Sequence, residues 1–459
     1  MQFGFIRANP FNPCIPYPIR ESASFILFPF SMFFRSCSCP AEGEGIDGMR
    51  NEMMAFQQTT KELDTCRVLV LCAIVILLEG FDIQAAGVSA TKLTLAFNLA
   101  PFGKGMFLGA SAVGIFIASI LGGFLADKYG RKPIVVSGVI IFGIFSLSTL
   151  LAKGLGTLIT ARFMTGLGLG SAMPAVIAYA SDHSPEYMKK RAVGFIYCAI
   201  PIGGLLSGVV MQAGIFGSDW SPVYLVGGIA PIVVAPFLFM LPKSLPKIGH
   251  CPESPADRIN ILSGLLGKGQ LNKTIFLWIA TFGTLLVMYL LLGWMPSLLV
   301  AMGLSQSQSQ YVQMIFNFGG SAGAAAGGYL LDRKLLYLTP GVAYVALALL
   351  LAIFGFSALD FHSASIAAFG VGAMVMLSQA ILYAFAPLCY SPSIRNTGVG
   401  AAVAAGRLGT IAGPLLAGSL LGAGKTAADV LLVLIPITLA SGTMALFMIR
   451  TLRYKKSGY

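Results

Sequence analysis

The chain has 459 residues, of which 10% are charged and 56% hydrophobic, with 54 glycines and a mean hydropathy of +0.81. A soluble domain carries roughly 25% charged residues, so this composition excludes a soluble enzyme or a disordered chain and points to a protein dissolved in lipid. The net charge of +12 comes without a basic stripe interleaved with aromatics, which sets aside a nucleic-acid partner.

Residues 1–60 read as an N-terminal extension. Its apolar stretch Ser24–Phe34 is too short to span a bilayer, and Pro10, Pro13, Pro16, Pro18, Pro29 and Pro40 oppose a continuous helix. The expectation is a disordered or spurious leader ahead of a start at Met49, Met53 or Met54; the alternative is a targeting segment. Apolar segments long enough to span then follow at about 67–90, 104–126, 133–152, 156–180, 192–213 and 222–242. After a polar connector, six more are predicted at about 274–300, 309–331, 340–358, 363–389, 397–421 and 428–449. The fold class predicted is therefore all-α and integral to the membrane, with 12 spanning helices. Residues 61–242 and 274–450 form two six-helix bundles, joined by a linker at 243–273 and followed by a tail at 451–459.

The two sixes carry a repeat. Gly122–Lys132 reads GGFLADKYGRK and Gly327–Tyr337 reads GGYLLDRKLLY, aligning Asp127 with Asp332; RAVG at Arg191 aligns with RNTG at Arg395 at nearly the same offset. An even number of spans per repeat makes the repeats parallel, related by an axis along the membrane normal. Of the 30 Lys and Arg, 20 fall on one predicted face, while the other holds Lys92, Lys104, Lys153 and Lys425. The positive-inside rule then places both termini, the linker and the tail in the cytoplasm.

Charges inside spans are costly and are functional candidates by default. Glu79 and Asp82 lie three apart in the first span, with Glu79 about 18 Å from its cytoplasmic end. Loss of hydration there opposes the charged form, so such a carboxyl can exchange protons near neutral pH, as a proton-coupled carrier requires. Arg162, entering the fourth span from outside, reaches a similar depth and is the expected partner; a static ion pair is the structural alternative. Arg407 lies about 15 Å into the eleventh span, and no acid of the C-terminal half shares its depth. A guanidinium without a counter-ion there suggests a carboxylate substrate; capping of backbone carbonyls is the alternative. Phe81, Tyr289, Trp294 and Tyr383 are candidate ring-binding aromatics, though packing or membrane-interface anchoring is the favoured role for each taken singly. Asp127, Arg131, Arg191, Asp332 and Arg395 are candidates for rim ion pairs that gate two open states, or for simple membrane anchoring. The eight Cys form no CxxC pair, and His183, His250 and His362 are far apart, so no metal is expected.

At GGFLADKYGRK, with Arg162, Gly166 and Gly168 in the fourth span, the sequence resembles the major facilitator superfamily over about residues 60–450. Within it, LEGFDIQAAG (Leu78–Gly87), YCAIPIGG (Tyr197–Gly204), YAFAPLCYSPSIRNTGVG (Tyr383–Gly400) and GRLGTIAGPLLAG (Gly406–Gly418) are similar to the aromatic acid:proton symporter family, nearest its 3-(3-hydroxyphenyl)propionate transporters. The resemblance implies a monomer in the bacterial inner membrane that imports a small aromatic carboxylate with a proton and uses no other cofactor. It implies functional acids at Glu79 and Asp82, a loop acid at Asp127 and late arginines at Arg395 and Arg407. Many relatives have Asp where this chain has Glu79, so which of the two acids titrates stays open. The span-5 antiporter motif, GP followed two residues later by GG, is only partly matched by Pro201, Gly203 and Gly204. An exporter of drugs or organic anions with the same fold is the leading alternative, followed by a membrane receptor and, last, a membrane enzyme.

Overall fold

The computed structural model describes residues 46–184, 189–214, 219–242, 267, 270–330, 339–356, 360–390 and 394–454. Within these, the side chains of 46–64, 123, 127, 189–195, 328–330, 395–396 and 453–454 lie outside the description. The chain divides into two units, Met1–Thr60 and Lys61–Tyr459, and the architecture below is that of the second.

Among the described residues twelve long helices follow one another: α1 (Ile46–Phe97), α2 (Pro101–Tyr129), α3 (Arg131–Ser148), α4 (Leu155–His183), α5 (Lys189–Ala213), α6 (Ser221–Leu238), α7 (Leu271–Ala301), α8 (Gln306–Leu330), α9 (Thr339–Phe356), α10 (Phe361–Phe385), α11 (Arg395–Gly422) and α12 (Ala427–Tyr454). Each corresponds to one predicted span, and no strand occurs among the described residues. Lipid offers no hydrogen bonds to the backbone, so a helix, which satisfies its own amides, is the conformation such segments adopt. At the start of α10 a side chain takes over. Asp360 caps α10, accepting from the backbone N–H of His362 and Ser363 at 3.3 and 3.4 Å. The Ser363 hydroxyl and these amides hold its carboxyl below the usual carboxylate range.

Among the described residues eleven helices are long and apolar enough to cross a membrane, and the chain is a multi-pass membrane protein. The exception is α8, which carries Gln306, Gln308, Gln310, Gln313 and Asn317. Gln310, Gln313 and Asn317 are buried in protein, so this helix directs its polar groups at a neighbour instead of at lipid.

Contacts repeat between the halves as the sequence repeat predicts. The α2–α4, α3–α4 and α3–α6 pairs of the first half have counterparts in α8–α10, α9–α10 and α9–α12 of the second. The halves meet through α2 on α11 and, symmetrically, α5 on α8. A close approach of this kind needs small residues: a Cβ on Gly105 would lie 2.8 Å from the Pro414 carbonyl oxygen, and one on Gly418 2.9 Å from that of Pro101.

The hydrophobic core is divided unequally along the helices. One large cluster, running from Phe81 on α1 to Leu99 just past its end and from Leu285 on α7 to Leu304 just past its end, draws on both halves. Toward the opposite face it gives way to two separate clusters. One is built by the first half alone, with Val68–Leu78 of α1; the other by the second half alone, with Leu277 and Ala280 of α7. The halves are thus sealed together at the face that the charge pattern predicts as outer, and each packs on itself at the other. Glu79 stands at the level where the seal ends.

Candidate functional site

On α1, positions three apart differ by about 60° around the helix, and this rotation separates the two acids. Asp82 turns into the first half. Its carboxylate accepts from Arg162 Nη1 at 2.8 Å and from Ser146 Oγ at 2.7 Å, while Arg162 Nη2 donates to the Asp82 carbonyl at 3.1 Å. Both side chains are 0% exposed, and the guanidinium lies over the Tyr224 ring at 5.9 Å. Tyr224 is fixed in turn by Ser89, whose hydroxyl is 2.9 Å from the phenol oxygen. Acid, base and supporting groups come from α1, α3, α4 and α6, all within one half. Its Arg162 Nε alone has no hydrogen-bond partner.

Glu79 has the opposite setting. It is 1% exposed, yet neither carboxylate oxygen has a hydrogen-bond partner. Within electrostatic reach are Arg407 of α11 and Asp82. Arg407 in turn faces Tyr289 of α7, Tyr383 of α10, Tyr197 of α5 and Glu79. Its guanidinium reaches Met173 Sδ of α4 at 3.3 Å, with the Tyr289 phenol beside it. Arg407 and the three tyrosines are half-buried, and the five residues come from five helices of both halves. Among the described residues no carboxylate lies within ion-pairing distance of Arg407. The sequence reading looked for a counter-charge only in the C-terminal half; the structure supplies a distant one, Glu79, from the other half. A cation framed by phenol rings, opposite an unbonded carboxyl, has the chemistry to accept an aromatic anion, a guanidinium being able to pair with a carboxylate and phenol rings to stack on a ring face.

The other candidate residues lie elsewhere. The Phe81 ring is 3% exposed inside the first half, placed so that a Cβ on Gly227 of α6 would touch it at 3.3 Å. Trp294 is 2% exposed, more than a helical turn beyond Tyr289 toward the sealed face, with Nε1 donating to the Pro414 carbonyl at 3.1 Å. Neither joins the Arg407 group, because helix rotation and depth, invisible to composition, direct them away. Tyr383 does join it. Arg131 pairs with Asp182 and donates to the Ala178 carbonyl at 2.6 Å, tying the start of α3 to the end of α4 within one half. The side chains of Asp127, Arg191 and Arg395, and the whole of Asp332, lie outside the described residues.

Two features escaped the sequence reading. Tyr197 was visible only as part of a motif, without a reason to face Arg407. The second is an amide cluster linking the halves: Gln84 Nε2 donates to Asn317 Oδ1 at 2.8 Å and Asn317 Nδ2 donates back to Gln84 Oε1 at 2.7 Å, with Gln313 Nε2 at 3.4 Å from the same oxygen. The glutamines of α8 were its only sequence signal.

The sequence profile of the Major Facilitator Superfamily matches residues 72–414. The chain belongs to the Major Facilitator Superfamily. Among curated relatives it is 39% identical to the 3-(3-hydroxy-phenyl)propionate transporter of Escherichia coli (strain K12), over 83% of this chain and 93% of that protein. It is 29% identical to the 4-hydroxybenzoate transporter PcaK of Pseudomonas aeruginosa, over 83% of this chain and 92% of that one. Among solved structures, a bacterial homolog of the human lysosomal transporter Spinster matches with a TM-score of 0.67 at 16% identity, covering 85% of this chain and 98% of that chain. The D-xylose-proton symporter matches with a TM-score of 0.67 at 16% identity, covering 84% and 96%. At that identity the structures speak for the fold alone.

Proposed function

We propose that this member of the superfamily imports a small aromatic carboxylate, of the 3-hydroxyphenylpropionate or hydroxybenzoate type, together with a proton across the bacterial inner membrane. The observation that carries the reading is the half-buried Arg407, unpaired by any described carboxylate and ringed by Tyr197, Tyr289 and Tyr383 where the two halves meet. The names of the relatives, carriers of hydroxyphenylpropionate and hydroxybenzoate, support the same substrate class.

Alternating access follows from the divided core. The predicted outer face is sealed by a shared cluster while the inner ends pack separately, which supports reading this state as the inward-facing one, with the Arg407 group reached from the cytoplasm. Rocking the halves about their α2–α11 and α5–α8 contacts would reverse that. Glu79 is the proton carrier in this scheme. A charge on it has no hydrogen bond to replace lost hydration, whereas a proton removes that cost and changes the field at Arg407 across the interface. Asp82, already held by Arg162 and Ser146, is the fixed element of the first half.

The test is uptake by energised cells of labelled 3-(3-hydroxyphenyl)propionate, in competition with hydroxylated benzoates, phenylacetates and phenylpropionates. Accumulation that collapses with a protonophore supports the proposal. Depletion of preloaded substrate instead would establish the exporter reading and overturn it.

A further inference from the structure

A second cation lies in the sealed region, away from Arg407. Lys104, one turn into α2, is 6% exposed. Its Nζ donates to Ser297 Oγ of α7 at 2.5 Å and sits 4.7 Å from the centre of the Trp294 ring. Thr91 of α1 holds the same serine, hydroxyl to hydroxyl, at 3.0 Å. Trp294 is anchored to the Pro414 carbonyl of α11, beside the Gly105–Gly418 approach. Four helices from both halves therefore close over one ammonium.

No described carboxylate is within ion-pairing distance of it. Helices α7 and α11 contain no acidic residue, and the acids of α1 and α2 lie at Asp82 or farther toward the opposite face. A buried ammonium with one hydroxyl and one ring is undercompensated. When the halves part at this face, Lys104 of α2 and the Trp294 ring of α7 are uncovered on facing walls of the mouth, so that a substrate entering between them meets a cation from one half and an indole face from the other.

We propose that Lys104 and Trp294 form an outer docking point for the aromatic carboxylate, and that Ser297 takes the place of the carboxylate on Lys104 once the substrate has moved inward. The inference rests on the proposed import of such a substrate. The ammonium binds the carboxylate, the indole stacks on the ring, and the hydroxyl oxygen of Ser297, supported by Thr91, accepts the same proton when the mouth is shut. Docking and closure thus use one lysine in turn, so that the mouth shuts behind the substrate.

The two roles separate by mutation. Uptake of labelled 3-(3-hydroxyphenyl)propionate is measured at equal membrane abundance for the wild type, K104Q, K104R and S297A, with K104M replacing K104Q if the latter does not reach the membrane. The expected result is a fall in Vmax/KM of about fivefold to tenfold for K104Q, the size of one partly screened charge interaction. K104R and S297A stay within about twofold of the wild type, and the deficit of K104Q shrinks as salt rises. Equal losses in K104Q and S297A would make Lys104 a latch only and overturn the docking point, as would a K104Q rate equal to wild type. A wild type that takes up no aromatic carboxylate overturns the functional proposal, and this inference with it.

Discussion

Two arginines inside the spans of this molecule are treated in opposite ways. Arg162 is 0% exposed, bonded to Asp82 and the Asp82 carbonyl, and enclosed by helices of one half. Arg407 is half-buried, touches a sulfur and a phenol, and faces Glu79 across the boundary between halves. The difference separates a charge used to hold a bundle together from a charge kept available. A pair satisfied within one rigid body has no reason to respond when the halves rock. A cation and a carboxyl facing each other from different bodies, neither saturated, change their mutual field with every cycle.

Substitutions can break this comparison from either side. The largest effect in free energy falls on the closed pair. D82N leaves the Arg162 guanidinium buried beside a neutral amide, and a loss of about 3–5 kcal/mol of stability is expected, read as a lowered unfolding temperature in detergent. D82N combined with R162M removes both charges and costs less than D82N alone; equal or greater loss in the double variant would show that the pair is not the source.

On the open side, R407A removes the charged partner proposed for the substrate carboxylate at the central site. Its affinity for 3-(3-hydroxyphenyl)propionate, measured by equilibrium binding, is expected to fall by about 30-fold or more, corresponding to at least about 2 kcal/mol, with little change in unfolding temperature. Wild-type affinity in R407A would remove Arg407 from the site. The smallest effect belongs to the amide link. N317A leaves Gln84 without its reciprocal hydrogen bonds, and a cost of about 1–2 kcal/mol to the sealed state is expected. Spin-label distances across the predicted outer face then shift toward the open population, while binding at Arg407 is retained.

The sequence carried the fold almost entirely, because lipid imposes a simple code: apolar length specifies a helix, and basic residues between helices predict its direction. Twelve spans were countable even though α8 is polar, since its glutamines are interrupted by enough apolar residues to keep the segment visible. Depth was legible too, which is why Asp82 and Arg162 could be matched across 80 residues of sequence. Rotation was not. A helix of largely apolar residues does not reveal which side faces a partner half, so Phe81 and Trp294 were as plausible as Tyr383, and Tyr197 had no distinguishing mark. The separation of Glu79 from Asp82 is the same problem at its sharpest, because residues three apart share a face by spacing, yet Asp82 is bonded to α3 and α4 while Glu79 is left within electrostatic reach of Arg407.

The central claim is that the carboxyl facing Arg407, not the one bonded to Arg162, carries the coupling proton. Purified protein in liposomes with an imposed pH gradient, inside alkaline, separates coupling from substrate binding through E79Q. The account predicts that wild type concentrates 3-(3-hydroxyphenyl)propionate, while E79Q exchanges labelled for unlabelled substrate at a comparable rate but brings it only to equal concentrations. An E79Q protein that concentrates substrate as the wild type does would contradict it.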